Sequence, residues 1–176
     1  QILWVNTVTS VTLALSLAFE PAEPGVMRHP PRPPQESIIT RALGGRILFV
    51  IGLMIAATFW VFHWELARGT PLETARTAAV NTIVMCELFY LFNVRHFTQH
   101  AWRAETLTGN PIALLVAGIL VVLQLLFTYA PPLQRLFHTT ALDARSWAMI
   151  LALGAALFVL VETEKALLRR RAVRRL

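Results

Sequence analysis

Glu87 is the residue most out of place in this sequence. It sits near the middle of an apolar run over residues 77–94, ten residues from one end and seven from the other. In a hydrocarbon surrounding, an isolated carboxylate costs several kcal/mol or takes up a proton. Such a group either ligates a cation or exchanges a proton inside a helix bundle, or it ties two helices together in its neutral form. A second polar group lies in the first apolar run, where Asn6, Thr9 and Ser10 occur together. At 100° per residue the three fall within one 100° arc of a helix. Hard cations prefer oxygen ligands of this kind, with a carboxylate added. Asn6, Thr9 and Ser10 are all neutral, so alone they make a weak site. Ordinary interhelical hydrogen bonding by small polar residues accounts for them equally well. Thr12 and Ser16 extend the same stripe and read as packing.

Other polar residues carry less. Asn81 and Gln124 read as interhelical hydrogen bonds, and Tyr90, one turn from Glu87, is within reach of it. The five histidines lie in or near loops, apart from His63 close to an expected interface. His96 and His100 stand beside Arg95, which repels a metal. Cys86 is the single cysteine, which excludes a disulfide framework and reads as a buried thiol. The sequence has no phosphate-binding glycine loop and no serine or cysteine nucleophile motif. We therefore expect no catalytic residue and no resident cofactor here.

The elements that must position Glu87 are membrane helices. The hydrophobic fraction is 56% and the charged fraction 15%, against about a quarter in ordinary globular domains. Mean hydropathy is +0.56. A spanning helix needs about 20 mostly apolar residues. Five segments fit, at 1–19, 47–64, 77–94, 111–129 and 146–161. In lipid each must be helical to satisfy its own backbone. The fold expected is all-α, a polytopic membrane bundle of five transmembrane helices forming one membrane domain over residues 1–176. Pro111 is placed to start a helix, Pro131 and Pro132 to stop one, and Asp143 to cap the last. Trp60, Trp64, Trp102 and Trp147 fall near the expected interfaces.

The net charge is +6. Twelve of the 16 Lys and Arg residues fall in 20–46, 95–110 and 162–176. The positive-inside rule puts those three segments in the cytoplasm and Gln1 on the far side. The basic tail reads as an anchor on anionic lipid, and no folded basic domain is left to bind nucleic acid. The partner expected first is therefore the lipid bilayer, in the plasma (inner) membrane of a prokaryote. The Pro-rich stretch 20–34, E-P-A-E-P-G-V-M-R-H-P-P-R-P-P, reads as a stiff extended arm that contacts another domain. Gln1 opens directly on apolar residues, so we expect a segment of a longer protein.

Residues 1–32, Q-I-L-W-V-N-T-V-T-S-V-T-L-A-L-S-L-A-F-E-P-A-E-P-G-V-M-R-H-P-P-R, resemble the sixth membrane helix and following cytoplasmic loop of P-type cation-transporting ATPases of the calcium-pump and sodium-pump branch. Residues 81–95, N-T-I-V-M-C-E-L-F-Y-L-F-N-V-R, resemble their eighth helix. Residues 131–134 and 142–147 resemble the loop before their tenth. The resemblance runs through the chain in order and implies helices six to ten. It implies that Asn6, Thr9 and Glu87 are cation ligands. Ser10 stands where the calcium pumps usually have an aspartate. One charge fewer favours a single ion or a monovalent ion over the usual calcium load. It further implies a coupling loop over 20–46, with Glu20, Pro21, Glu23, Pro24, Met27, Arg28, Pro30, Pro31 and Arg32 as contacts. ATP and Mg2+ would then bind in cytoplasmic domains elsewhere in the pump. The phosphorylated Asp-Lys-Thr-Gly motif of that family is absent, so the chain should be inactive by itself. The implied partners are the preceding membrane helices and those cytoplasmic domains, and without them the first span should be partly detached. Two other readings stay open on the residues alone. One is a stand-alone membrane interaction protein with Glu87 as a helix tie, and the other a part of a secondary transporter with Glu87 as a proton relay.

Overall fold

A computed structural model describes residues 1–19, 41–94 and 111–173. Within them the chain forms α1 (Ile2–Ala18), α2 (Arg41–Ala67), α3 (Leu72–Val94), α4 (Pro111–Tyr129), the short α5 (Pro131–Phe137) and α6 (Ala144–Val173). Four of these, α2, α3, α4 and α6, are long and apolar enough to cross a membrane. The apolar α1 is shorter, at 17 residues. The all-α membrane bundle expected from hydropathy is what forms.

Local chemistry explains the boundaries. Pro111 opens α4, where its missing N–H leaves no bond unmade. Asp143 caps α6 through its Oδ1, which accepts the Ser146 N–H at 2.7 Å. Gly69, at φ 76°, makes the left-handed step in the turn from α2 to α3.

Four boundaries differ from expectation. α2 begins at Arg41, so residues 41–46 of the expected coupling loop are helical. α3 begins at Leu72, one turn early, so Glu87 is off-centre, fifteen residues after Leu72 and seven before Val94. α6 continues to Val173, twelve residues beyond the expected end at 161. The common cause is that hydropathy marks where lipid ends, whereas a helix ends only at a breaker. The segment E-T-E-K-A-L-L-R-R-R holds mostly good helix formers and no breaker. The fourth difference is α5, inside the expected 130–145 connection. Pro131 and Pro132 end α4, but they also occupy the first positions of a new helix.

The central helix is α3, which touches α1, α2, α4 and α6. One apolar cluster joins Val50, Ala57, Cys86, Leu157 and Val161 across α2, α3 and α6. Another joins Val5, Val84 and Leu120 across α1, α3 and α4. The outer faces keep large apolar residues exposed, such as Leu48, Phe59, Leu115 and Val122, as lipid contact requires. One face of α1, through Val5, Thr9 and Ser16, is buried on its neighbours, while Leu3 and Val11 on the other side are open.

Polar contacts mark two ends. At the first, Gln1 reaches the carbonyls of Phe137 and His138, Arg68 meets Asp143, and the Thr140 N–H donates to Thr77. At the second, Arg46 pairs with Glu164 at 3.1 Å, and Asn93 donates to the Phe158 carbonyl. The helices therefore alternate in direction.

Candidate cation site

α1 and α3 face each other across a cleft of about 350 Å³. Thr9, Ser10 and Leu13 line one wall and Glu87, Tyr90 and Leu91 the other. Thr9 is buried, and its hydroxyl donates to the Val5 carbonyl at 2.8 Å. The Thr9 side chain lines the cleft opposite Glu87. Glu87 is half-buried, and its Oε2 is a buried oxygen with no hydrogen-bond partner. An orphaned buried carboxylate oxygen opposite a threonine oxygen is electrostatically incomplete.

The sequence-derived set is only partly assembled. Thr9, Ser10 and Glu87 share the cleft, whereas Asn6 is exposed and outside its lining. A 100° arc is wide enough to straddle two surfaces, and burial of Val5 and Thr9 turns Asn6 outward. Thr12 and Ser16 donate to the Val8 and Leu13 carbonyls of their own helix, in keeping with packing roles. Tyr90 lines the cleft beside Glu87. Cys86 points into the α2–α3–α6 core. His63 is exposed, edge-on to Phe62 and stacked with Phe59. His96, His100, Trp102 and the expected coupling contacts between Glu20 and Arg32 lie outside the described residues. Among the described residues no cluster of three His, Cys, Asp or Glu side chains forms, so a site here rests on one carboxylate with neutral oxygens.

Asn81 and Gln124 do make the interhelical bonds expected of them. Gln124 Nε2 donates to Asn81 Oδ1 at 3.1 Å, Asn81 Nδ2 donates to Thr128 Oγ1 at 3.1 Å, and the Trp4 indole N–H reaches Gln124 Oε1 at 3.4 Å. All three side chains of α3 and α4 are fully buried. Their donors and acceptors are matched, which leaves no vacancy for an ion.

One cluster is missing from the sequence reading. Glu65, fully buried, accepts bonds from Arg68, Thr70 and Ser146. Arg68 also pairs with Asp143 at 2.5 Å and covers the Trp64 ring at 4.5 Å. This ties α2 to the start of α6. The Arg68 guanidinium, with the Ser146 bonds, holds the Asp143 carboxyl well below the usual carboxylate range, and Asp143 raises Arg68 in turn. The available signal was Glu65 and Arg68 at i, i+3 together with an aspartate cap. The span expected over 47–64 stops one residue short of Glu65, which hides it from a hydropathy reading.

A five-part apolar bundle with one orphaned carboxylate fits more than one class of transporter, and comparison with known proteins decides between them. The family described as cation transporting ATPase, C-terminus, matches residues 1–167. The chain belongs to the C-terminal membrane region of the P-type cation-transporting ATPases. This cation-ATPase region is 41% identical over 172 residues, 98% of the chain, to a probable cation-transporting ATPase F of Mycobacterium tuberculosis, of which it covers 19%. It is 33% identical over 94% of the chain to the calcium-transporting ATPase type 2C member 2 of Mus musculus, covering 18% of it. It is 32% identical over 88% of the chain to a calcium-transporting ATPase of Bacillus subtilis, covering 17% of it. The chain thus spans about a fifth of the length of the curated relatives it matches.

Proposed function

We propose that this ATPase region forms part of the ion pathway of an ATP-driven cation pump, with Thr9, Ser10 and Glu87 holding the transported ion. The observation that carries the reading is the buried, unpartnered Oε2 of Glu87 in the α1–α3 cleft, opposite a threonine oxygen. Asn6, exposed on the adjoining face of α1, joins the ligand set from the side on which other helices of the pump pack. Relatives named as calcium-transporting ATPases support calcium as the ion. The single carboxylate favours one ion, and a monovalent ion is the competing choice. The stretch 20–46 couples the site to the domains that bind ATP and Mg2+, and the Arg46 end of the bundle faces the cytoplasm of a prokaryotic cell.

The test is Glu87→Gln in the full-length pump, with ATPase activity scanned across calcium, manganese, sodium and potassium. Removing the charge should raise the half-saturating concentration of the stimulating ion by about tenfold or more, the scale of one lost charge-assisted contact of ~1.5–3 kcal/mol. Unchanged affinity and turnover would make Glu87 a helix tie and end the ligand assignment.

A further inference from the structure

Thr9 faces Glu87 only while α1 keeps one rotation about its own axis, and something must set that rotation. The contacts of α1 are unevenly spread along it. At its start, Gln1 Nε2 donates to the Phe137 carbonyl at 2.9 Å and to that of His138 at 3.2 Å. The Trp4 ring stacks on Phe127, with centroids 5.4 Å apart at 16°, and tilts against Phe137 at 5.2 Å. Phe127 and Phe137 also touch each other, which closes an aromatic triad. The Trp4 N–H points at Gln124, which bonds Asn81 in α3. One side chain thus links α1 to α4, α5 and, through Gln124, α3.

Towards its other end α1 keeps Leu13 packed on the Val84 and Leu120 cluster and Ser16 buried, but its side facing the last turns of α3 is open. Thr12 and Ser16 direct their hydroxyls to carbonyls of α1 itself. Leu13, Ala14 and Leu17 are separated from Tyr90, Leu91 and Val94 by the cleft. The cleft therefore runs from Thr9 and Glu87 towards the Arg46 end, away from the aromatic triad. Leu17 lies thirteen residues past Trp4 and Thr9 five, so a tilt of about 5° at Trp4 moves Leu17 by roughly 1.7 Å and Thr9 by roughly 0.7 Å.

We propose that Trp4 is the positioning residue of the cation site: it fixes the rotation that presents Thr9 to Glu87 and is the pivot about which α1 tilts to open and close the cleft. Both halves rest on the reading of the α1–α3 cleft as the cation site, whereas the clamp formed by the Trp4 contacts does not. Loss of the clamp lets α1 sample rotations with Thr9 turned away. Apparent affinity then falls by the fraction of molecules still competent, while turnover at saturating ion is kept.

The experiment has two arms, both in the full-length pump in membranes. In the first, Trp4→Ala should raise the half-saturating concentration of the stimulating cation by about tenfold, and Trp4→Phe, which keeps the stacked ring and loses only the N–H, by roughly threefold. A fall in maximal turnover with unchanged half-saturation, equal for the two variants, would overturn the positioning role. The second arm leaves Trp4 intact and so survives a misfolded variant. With Cys86→Ala as background, the pair Gln1→Cys and His138→Cys should cross-link equally with calcium or with chelator. The pair Leu17→Cys and Val94→Cys should respond to the change. Equal response of both pairs, or of neither, would overturn the pivot. If Trp4→Ala shifts affinity and Glu87→Gln does not, the clamp stands and the ligand assignment fails. The reverse pattern keeps the ligand and removes the clamp.

Discussion

Adding one methyl group at Gly154 should destabilise the bundle and should be rescued from the other side of the contact. A Cβ built on Gly154 of α6 would lie 2.5 Å from Phe89 Cδ2, 2.7 Å from Cε2 and 3.3 Å from Cγ. Carbon atoms in ordinary contact are about 3.5–4.0 Å apart, so the ring of Phe89 must retreat by about 1 Å. Overpacking of this kind costs about 1–3 kcal/mol. Opposing it, Gly→Ala in a helix interior gains ~0.8–1.0 kcal/mol in propensity. The clash therefore wins, and Gly154→Ala should lose up to about 2 kcal/mol net. The assay is thermal unfolding of the purified protein in detergent, followed for Gly154→Ala, Phe89→Leu and the double variant. Phe89→Leu alone leaves a space beside Gly154 that the new methyl group can occupy. The double variant should consequently be more stable than the sum of the single losses implies, by more than the ~0.5 kcal/mol scatter of independent sites. Strict additivity, or a Gly154→Ala protein as stable as the parent, would refute the close α3–α6 approach. Because Phe89 is two residues from Glu87, the same series asks whether that contact holds the carboxylate in place.

Acid should loosen the Gln1 end of the bundle. The Asp143 carboxyl lies below its ordinary value in the folded protein, so its contribution is complete above the usual carboxylate range and is lost as pH falls through and below it. A melting curve against pH should show that acid-side loss in the parent and a shallower one in Asp143→Asn. Asn81→Leu removes the centre of the buried network and leaves Gln124 and Thr128 short of partners. Buried polar contacts between membrane helices are worth ~0.6 kcal/mol on average and up to ~1.7, so a loss near the upper figure is expected in the same unfolding assay. Gln124→Leu combined with Asn81→Leu should cost less than the two losses added, since both break one network.

How much of this was legible in the sequence depends on which solvent did the selecting. Lipid forces a spanning segment to be apolar over about 20 residues, so the cores of α2, α3, α4 and α6 could be read directly. Asn81 and Gln124 were legible for the same reason, as neutral polar groups at depth that need each other. Helix ends were not, because Arg41, Arg46 and the residues beyond Glu162 leave the lipid without leaving the helix. The start of α5 was hidden by Pro131 and Pro132, which are equally good as a stop and as a first turn. Thr9 and Asn6 share an arc of the helical wheel, and contacts such as those of Val5 with Leu120 and of Trp4 with Phe127, Phe137 and Gln124 set which of them turns inward. Those partners come from more than 100 residues away, and no local spacing encodes them.

Polar groups inside an apolar bundle can be sorted by what completes them, and the sorting separates scaffold from site. Asn81, Gln124 and Thr128 complete one another, Glu65 is completed by Arg68 and Ser146, and Thr12 and Ser16 by their own helix. Each of these fixes a distance between helices and gains nothing from a ligand. Glu87 differs, because its buried Oε2 opens on a cleft and finds no donor there. A protein that needed Glu87 only as a tie had neutral solutions at hand, since it uses Asn81 and Gln124 for that purpose between α3 and α4, six residues earlier in the same helix. Retaining a charge where an amide would tie two helices at lower desolvation cost makes sense if the charge itself is required. That contrast, between a matched amide network and a carboxylate with one buried oxygen left unpartnered, is the physical reason for proposing the ion at Glu87.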